Sequence, residues 1–229
     1  MANYGVIDLG SNSVRLVIFD VKDDISKKKP ITCKDFRSII NDKVMAGLSA
    51  YVDAGEFTPE GIARAVDVLS GHLKRARYFN CVRTDIFATA VLRNCTNSRE
   101  AISAIEKAIG VPVNLLSARD EAHLSFTGAS CDRTIEKGTV IDLGGGSTEL
   151  IRVEEGRDFD DVSIGQGSLS SYAGYVEFVM PQADEVEAIE RAFLERVAET
   201  PIDLRKYRAE TLYGVGGSAR AAAKLYAQM

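Results

Sequence analysis

Residues 139 to 149 read TVIDLGGGSTE: an apolar strand, three glycines in a row, then the start of a second strand. Glycine in a strand costs conformational entropy and packs nothing, so three together mark a place where something approaches the backbone closely. The stretch has a counterpart. Position 6 onward reads VIDLGSNSVRLVIF and position 140 onward VIDLGGGSTELIRV, and at an offset of 134 they share seven of fourteen residues. In each copy an apolar strand ends in an aspartate (Asp8, Asp142), a loop of Gly, Ser and Asn follows, and a second strand resumes over 14–21 or 149–153. Each copy predicts a β-hairpin. A single Gly/Ser loop reads equally well as a plain turn; duplication with the aspartate retained sets this pair apart.

Backbone N–H groups released by a tight glycine-rich turn point together into a concavity, which favours an anion, phosphate first. Two such loops facing one another across a cleft are expected to grip a phosphate chain from both sides, with Asp8 and Asp142 placed to hold a hydrated Mg²⁺ between them.

Composition leaves room for this and excludes other classes. The 229 residues are 45% hydrophobic, enough for one large domain or two small ones, and 28 Lys plus Arg against 33 Asp plus Glu give a net charge of −5. The longest run of like charge is Lys27-Lys28-Lys29, so bulk electrostatics do not indicate a duplex nucleic-acid surface. Cys33, Cys81, Cys95 and Cys131 have no CxxC spacing, and His72 and His123 stand apart, which supports neither a disulfide framework nor a zinc site. The most apolar stretch near the start, 14–21, is interrupted by Arg15 and Asp20, and no basic segment precedes it. The expectation is a cytoplasmic protein with no membrane association.

The rest of the pattern alternates strands and helices. TPEGIARAVDVLSGHLKRARYF carries a capping Thr58, Pro59 at the first helical position and an apolar face of Ile62, Ala65, Val66, Leu69 and Leu73. A strand is expected at 85–90, a helix at 98–109 ended by Gly110, a strand at 113–116 and a helix from about Arg119. After the second hairpin come a strand at 162–164, helices at 166–178 and 184–199, and a strand at 211–214. That strand runs into GVGGSARAAAKL, a third glycine turn with Gly216 and Gly217, opening a helix near Ser218. It serves either close strand-to-helix packing or contact with a ligand at the helix N-terminus.

The order DLGSNSVRL (8–16), ATAVLRN (88–94), SARDEAHL (117–124), VIDLGGGSTEL (140–150) and GVGGSARA (214–221) resembles the exopolyphosphatase/guanosine pentaphosphate phosphohydrolase (Ppx/GppA) family of the actin-like, sugar-kinase and Hsp70 ATPase superfamily. The resemblance spans essentially the whole chain. It implies two actin-like (ribonuclease H-like) α/β domains, over 1–124 and 125–229, with a cleft between them. It also implies release of a terminal phosphate from polyphosphate or from the 5′-triphosphate of pppGpp, by water with Mg²⁺ or Mn²⁺. Glu121 matches the family's general base and Glu149 its second cleft carboxylate, orienting the water or the metal shell beside Asp8 and Asp142. Gly10, Ser11, Asn12 and Ser13 in the first loop, and Gly144, Gly145, Gly146 and Ser147 in the second, then hold phosphate, with Gly216 and Gly217 as further contacts. Arg93 matches an arginine that takes phosphate oxygens, and strand alternation puts Arg15 on the face of Ser13.

Two departures stand out. GQGSLSSY (165–172) replaces a GxVRL-like segment, so one phosphate contact is lost or passes to Ser168. The chain also stops soon after the third glycine motif where relatives continue, so the second domain is expected to be incomplete. A superfamily phosphotransferase using ATP, or a non-catalytic module binding polyphosphate or (p)ppGpp, are the competing readings, and a homodimer is compatible with all three.

Overall fold

The computed structural model describes residues 2–22 and 32–228; the lysine run at 27–29 lies outside them. The chain forms two compact units, Met1–Ser117 and Ala118–Met229. The division falls after Ser117, not after residue 124 as the motif order suggested, which assigns the helix bearing Glu121 to the second unit.

The first unit opens with the hairpin β1 (Ala2–Leu9) and β2 (Ser13–Val21). Strand β3 (Phe36–Met45) pairs with β2, and after two short strands, β4 (Val52–Asp53) and β5 (Glu56–Phe57), the long helix α1 (Pro59–Tyr78) begins. Its start is the one the sequence announces: Pro59 needs no N–H partner, and the Thr58 hydroxyl accepts from Gly61 N at 3.2 Å. Strand β6 (Cys81–Ala88) then runs parallel to β1, followed by α2 (Ala90–Arg93), α3 (Ser98–Ile109) and β7 (Val113–Leu115). The sheet order is β3-β2-β1-β6-β7. Alternation fixes its faces: Ile7, Leu9, Val14, Leu16 and Ile18 are fully buried with Leu69 and Leu73 of α1, which leaves Asp8 and Arg15 on the other face.

The second unit repeats the plan. Helix α4 (Ala118–Asp132) precedes the hairpin β8 (Gly138–Leu143) and β9 (Thr148–Glu154), and β10 (Arg157–Ile164) pairs with β9. Helices α5 (Ser168–Tyr175) and α6 (Ala183–Glu199) follow, then β11 (Leu212–Val215) parallel to β8, and α7 (Gly216–Tyr226). The sheet order is β10-β9-β8-β11. Strand β9 buries apolar side chains on both faces because both are covered. Ile151 and Val153 pack with Ala122 and Phe126 of α4, while Leu150 and Ile164 pack with Phe193 and Val197 of α6.

Several expected boundaries shift. The strand predicted at 85–90 ends at Ala88, because Thr89 leaves the extended path and α2 begins. The helix predicted over 166–178 is confined to 168–175, since Gln166 and Gly167 are spent shaping the chain before it. The last helix opens at Gly216, two residues before Ser218.

Candidate active site

The two hairpins share one geometry. In β1–β2, Asp8 stands opposite Arg15 and Leu9 opposite Val14, and Gly10 N donates to Ser13 O at 3.2 Å. In β8–β9, Asp142 stands opposite Glu149 and Leu143 opposite Thr148, and Gly144 N donates to Ser147 O at 3.0 Å. The offset of 134 thus relates register and turn closure as well as letters.

Both loops have their carbonyls tied from outside. Ser11 O accepts from Ser49 N at 2.9 Å, and Asn12 O from Gly47 N at 2.8 Å. In the second loop Gly144 O accepts from Ser168 N at 3.0 Å and from the Ser168 hydroxyl at 3.1 Å, and Gly145 O accepts from Leu169 N at 2.9 Å and Ser170 N at 3.0 Å. A trans peptide points its N–H opposite to its C=O, so anchoring these carbonyls turns the N–H groups of Asn12 and Ser13, and of Gly145 and Gly146, away from the anchors. Donors aimed together from a short loop are the preferred seat of an oxyanion.

The anchor for the second loop is the N-terminus of α5, whose first N–H groups have no partner within the helix and find them in the loop carbonyls. Gly167 makes the approach possible: a Cβ there would lie 2.6 Å from Gly144 O and 2.7 Å from Gly145 C. Ser168 braces this loop, and its Oγ accepts from the Ser218 hydroxyl of α7 at 3.1 Å. The third glycine turn closes on the same place. Gly216 has φ +93°, and a Cβ there would meet Asp142 Oδ1 at 3.0 Å and Leu143 O at 3.1 Å, whereas one on Gly217 would meet no atom within 4 Å.

Three carboxylates gather in the second unit. Helix α4 buries Ala122 and Phe126, one turn apart, and turns Glu121 and Ser125 along the adjacent stripe, where the Ser125 hydroxyl donates to Asp142 Oδ2 at 2.5 Å. Glu149 is 2% exposed and accepts from the Ser163 hydroxyl at 2.8 Å. Burial pushes its carboxyl up to about 7, against the hydrogen bonds from Ser147 and Ser163, with the charges of Glu121 and Asp142 adding to the rise. Glu149 is therefore no simple exposed acid on a strand, and Glu121 lies close enough to bear on it electrostatically.

The equivalent row in the first unit carries the opposite charge. Asp8, Arg15 and Lys43 align across β1, β2 and β3, where the second unit has Asp142, Glu149 and Ser163 across β8, β9 and β10. Arg93 sits on α2, half-buried, with Nη1 donating to Leu116 O at 3.2 Å. The structure thus brings together Glu121, Asp142, Glu149, Gly144 to Ser147 and Gly216 in one unit; Asp8, Gly10 to Ser13, Arg15 and Arg93 belong to the other. Sequence reasoning missed Ser125, Ser163, Gly167 and Lys43, of which Ser125 was legible as the residue one helical turn after Glu121.

Among the described residues no three His, Cys, Asp or Glu side chains form a ready metal cage. Mg²⁺ seldom needs one, since it keeps several waters and takes one or two carboxylates together with substrate phosphates. Asp142 opposite Glu149 beside a phosphate-type loop supplies that hard-oxygen donor set.

A hairpin leading each sheet, with a parallel strand added beyond its first strand, defines the class: a protein of two actin-like (ribonuclease H-like) α/β domains. A family model described as the Ppx/GppA phosphatase family matches residues 24–229, and the chain belongs to that family. It is 25% identical over 226 residues to a Haemophilus influenzae protein provisionally named an exopolyphosphatase, covering 96% of this chain and 66% of that one. It is 29% identical over 160 residues to exopolyphosphatase 2 of Mycobacterium tuberculosis, covering 66% of this chain and 48% of that protein. The chain therefore spans about half to two thirds of these curated relatives. The crystal structure of an exopolyphosphatase from Cytophaga hutchinsonii superposes with a TM-score of 0.83 at 23% identity, over 99% of this chain and 70% of that one, a likeness of fold.

Proposed function

We propose that this protein is a phosphohydrolase, dependent on Mg²⁺ or Mn²⁺, that releases the terminal phosphate of inorganic polyphosphate and of the 5′-triphosphate of pppGpp by attack of water. The observation that carries the reading is the pair of carbonyl-anchored loops, each turning its N–H donors away from the anchor, in a chain whose family is that of phosphatases. The relatives' names point to polyphosphate, and pppGpp offers the same terminal phosphoanhydride.

Roles follow from charge. The basic row of Arg15 and Lys43 beside Ser13, together with Arg93, suits the phosphate chain. The acidic row of Asp142 and Glu149 suits a cation and the attacking water. When bound, the divalent ion neutralises charge that otherwise repels water from the phosphate. Glu121 takes the proton as the water oxygen bonds to the terminal phosphorus and the bridging P–O bond breaks, leaving a chain one phosphate shorter. Glu149 orients that water. A cytoplasmic setting fits both substrates, and among the described residues no helix is long and apolar enough to cross a membrane.

Incubation with Mg²⁺ and a short polyphosphate, or with pppGpp, should release inorganic phosphate, and excess EDTA should stop it. Tight binding of either substrate without phosphate release would replace this reading with a binding module, and transfer of label from ATP to a sugar would replace it with a kinase.

A further inference from the structure

Asp142 is held at one of its oxygens by a residue that the proposed reaction does not otherwise use. On one side the Ser125 hydroxyl donates to Oδ2 at 2.5 Å. On the other side Gly216 carries no side chain, and a Cβ there would crowd Oδ1 at 3.0 Å, so the glycine leaves that oxygen its room. A carboxylate on a two-bond side chain that is tethered at one oxygen has its orientation restricted by that hydrogen bond. The tether comes from α4, one helical turn after Glu121, so the same hydrogen bond ties the helix carrying Glu121 to the strand carrying Asp142. Below that contact Ala122 and Phe126 pack on Val140 and Ile151, which fixes how α4 lies on the sheet but leaves the carboxylate itself free to rotate. The hydroxyl supplies the remaining constraint.

We propose that Ser125 is a positioning residue that sets the Asp142 carboxylate for a divalent cation and locks the Glu121 helix to it. The proposal rests on the reading of Asp142 as a metal ligand, and it concerns an ion held by oxygen donors such as Mg²⁺ or Mn²⁺. Removing the hydroxyl leaves Asp142 Oδ2 without that donor and lets the side chain sample orientations unsuited to the ion. Partners of this kind typically govern metal affinity by about 10- to 100-fold.

The test is Mn²⁺ binding to the whole chain by calorimetry or electron paramagnetic resonance, without substrate, for wild type, Ser125→Ala, Ser125→Thr and Asp142→Asn. The expected result is loss of Mn²⁺ binding in Asp142→Asn, weakening by about tenfold or more in Ser125→Ala, and recovery to within about threefold of wild type in Ser125→Thr, which restores the donor. Circular dichroism should show Ser125→Ala folded as wild type. Mn²⁺ affinity in Ser125→Ala within about twofold of wild type overturns the proposal, as does absence of Mn²⁺ binding by wild type. Graded Mn²⁺ affinities with no phosphate release from polyphosphate by wild type would sink the proposed reaction alone and leave Ser125 in this role.

Discussion

Asp142 and Glu149 face each other directly across the β8–β9 ladder, two carboxylates on one face of a sheet, one of them almost fully buried. Like charges so placed destabilise a hairpin, and burial of Glu149 adds to the cost of its ionised form. Its carboxyl is accordingly raised to about 7, first by burial and then by Glu121 and Asp142, with Ser147 and Ser163 opposing. The sign follows. The folded state holds this proton more tightly than the unfolded chain, so the contribution is complete below about 4.5 and is lost as pH rises to about 7, amounting to on the order of 3 kcal/mol. In EDTA, urea unfolding at pH 5 and pH 8 should therefore show wild type losing stability relative to Glu149→Gln as pH rises. Parallel pH profiles for the two proteins would show that Glu149 ionises as freely folded as unfolded.

Gly167 predicts a sharper structural effect. An added methyl meets backbone atoms of Gly144 and Gly145, which have no flexible end to move aside. Gly167→Ala should cost about 1–3 kcal/mol and weaken tripolyphosphate binding by pushing α5 off the loop it anchors. Gly217→Ala is the control for stability: with no atom within 4 Å of the added carbon, and alanine favoured in helices, it should be neutral or stabilising by up to about 1 kcal/mol. Thermal melts of the two variants decide it, and equal melting temperatures would mean that the Gly167 contact relaxes without cost.

Lys43 belongs to the proposal through register alone. It lies beside Arg15 on β3, exposed, in the row that begins with Asp8. If this basic row binds polyphosphate, Lys43→Ala should raise KM for long polyphosphate by about three- to tenfold, leave kcat nearly unchanged, and flatten the dependence of KM on salt. Steady-state kinetics at two ionic strengths with short and long chains test this. An unchanged KM for long chains would remove Lys43 from the binding surface.

What could be seen in the sequence was whatever depended on local pattern. Each hairpin, the capped start of α1 and the glycine turns follow from residues close together in the chain, and the duplication from setting two such stretches side by side at an offset of 134. Strand β3 escaped because its ladder with β2 slips between Ile18 and Phe19, so Ile39 interrupts the alternation that marks a strand. The early part of β10 escaped likewise: its ladder with β9 skips Phe159, which is 69% exposed and lies against the Arg152 guanidinium. Ser163 and Gly167 gain meaning only from contacts 14 and 23 residues away in the chain, with Glu149 and Gly144, while Ser125 stands visibly one helical turn after Glu121 but shows its partner Asp142 only in the fold. A one-dimensional pattern shows glycines and hydroxyls at these positions but not what they touch.

Glu121 carries the most decisive prediction, because two models of its role diverge. As the base, it must be an acceptor beside the attacking water; Glu121→Gln keeps shape and polarity and removes only that capacity, so kcat should fall by roughly 10²–10⁴ with substrate Kd little changed. As a mere negative charge near an anionic substrate, its neutralisation should tighten binding and keep or raise the rate. The structure adds a third observable that needs no substrate. The charge on Glu121 is one of the causes that raise Glu149, so Glu121→Gln should move the stability transition assigned to Glu149 to lower pH. The two readouts are independent: the pH shift reports that the carboxylates are neighbours, and the loss of kcat reports that one of them accepts the proton. A variant that shows the pH shift but turns over short polyphosphate within about threefold of wild type would leave Glu121 as a neighbour of the site and pass the role of base to another carboxylate.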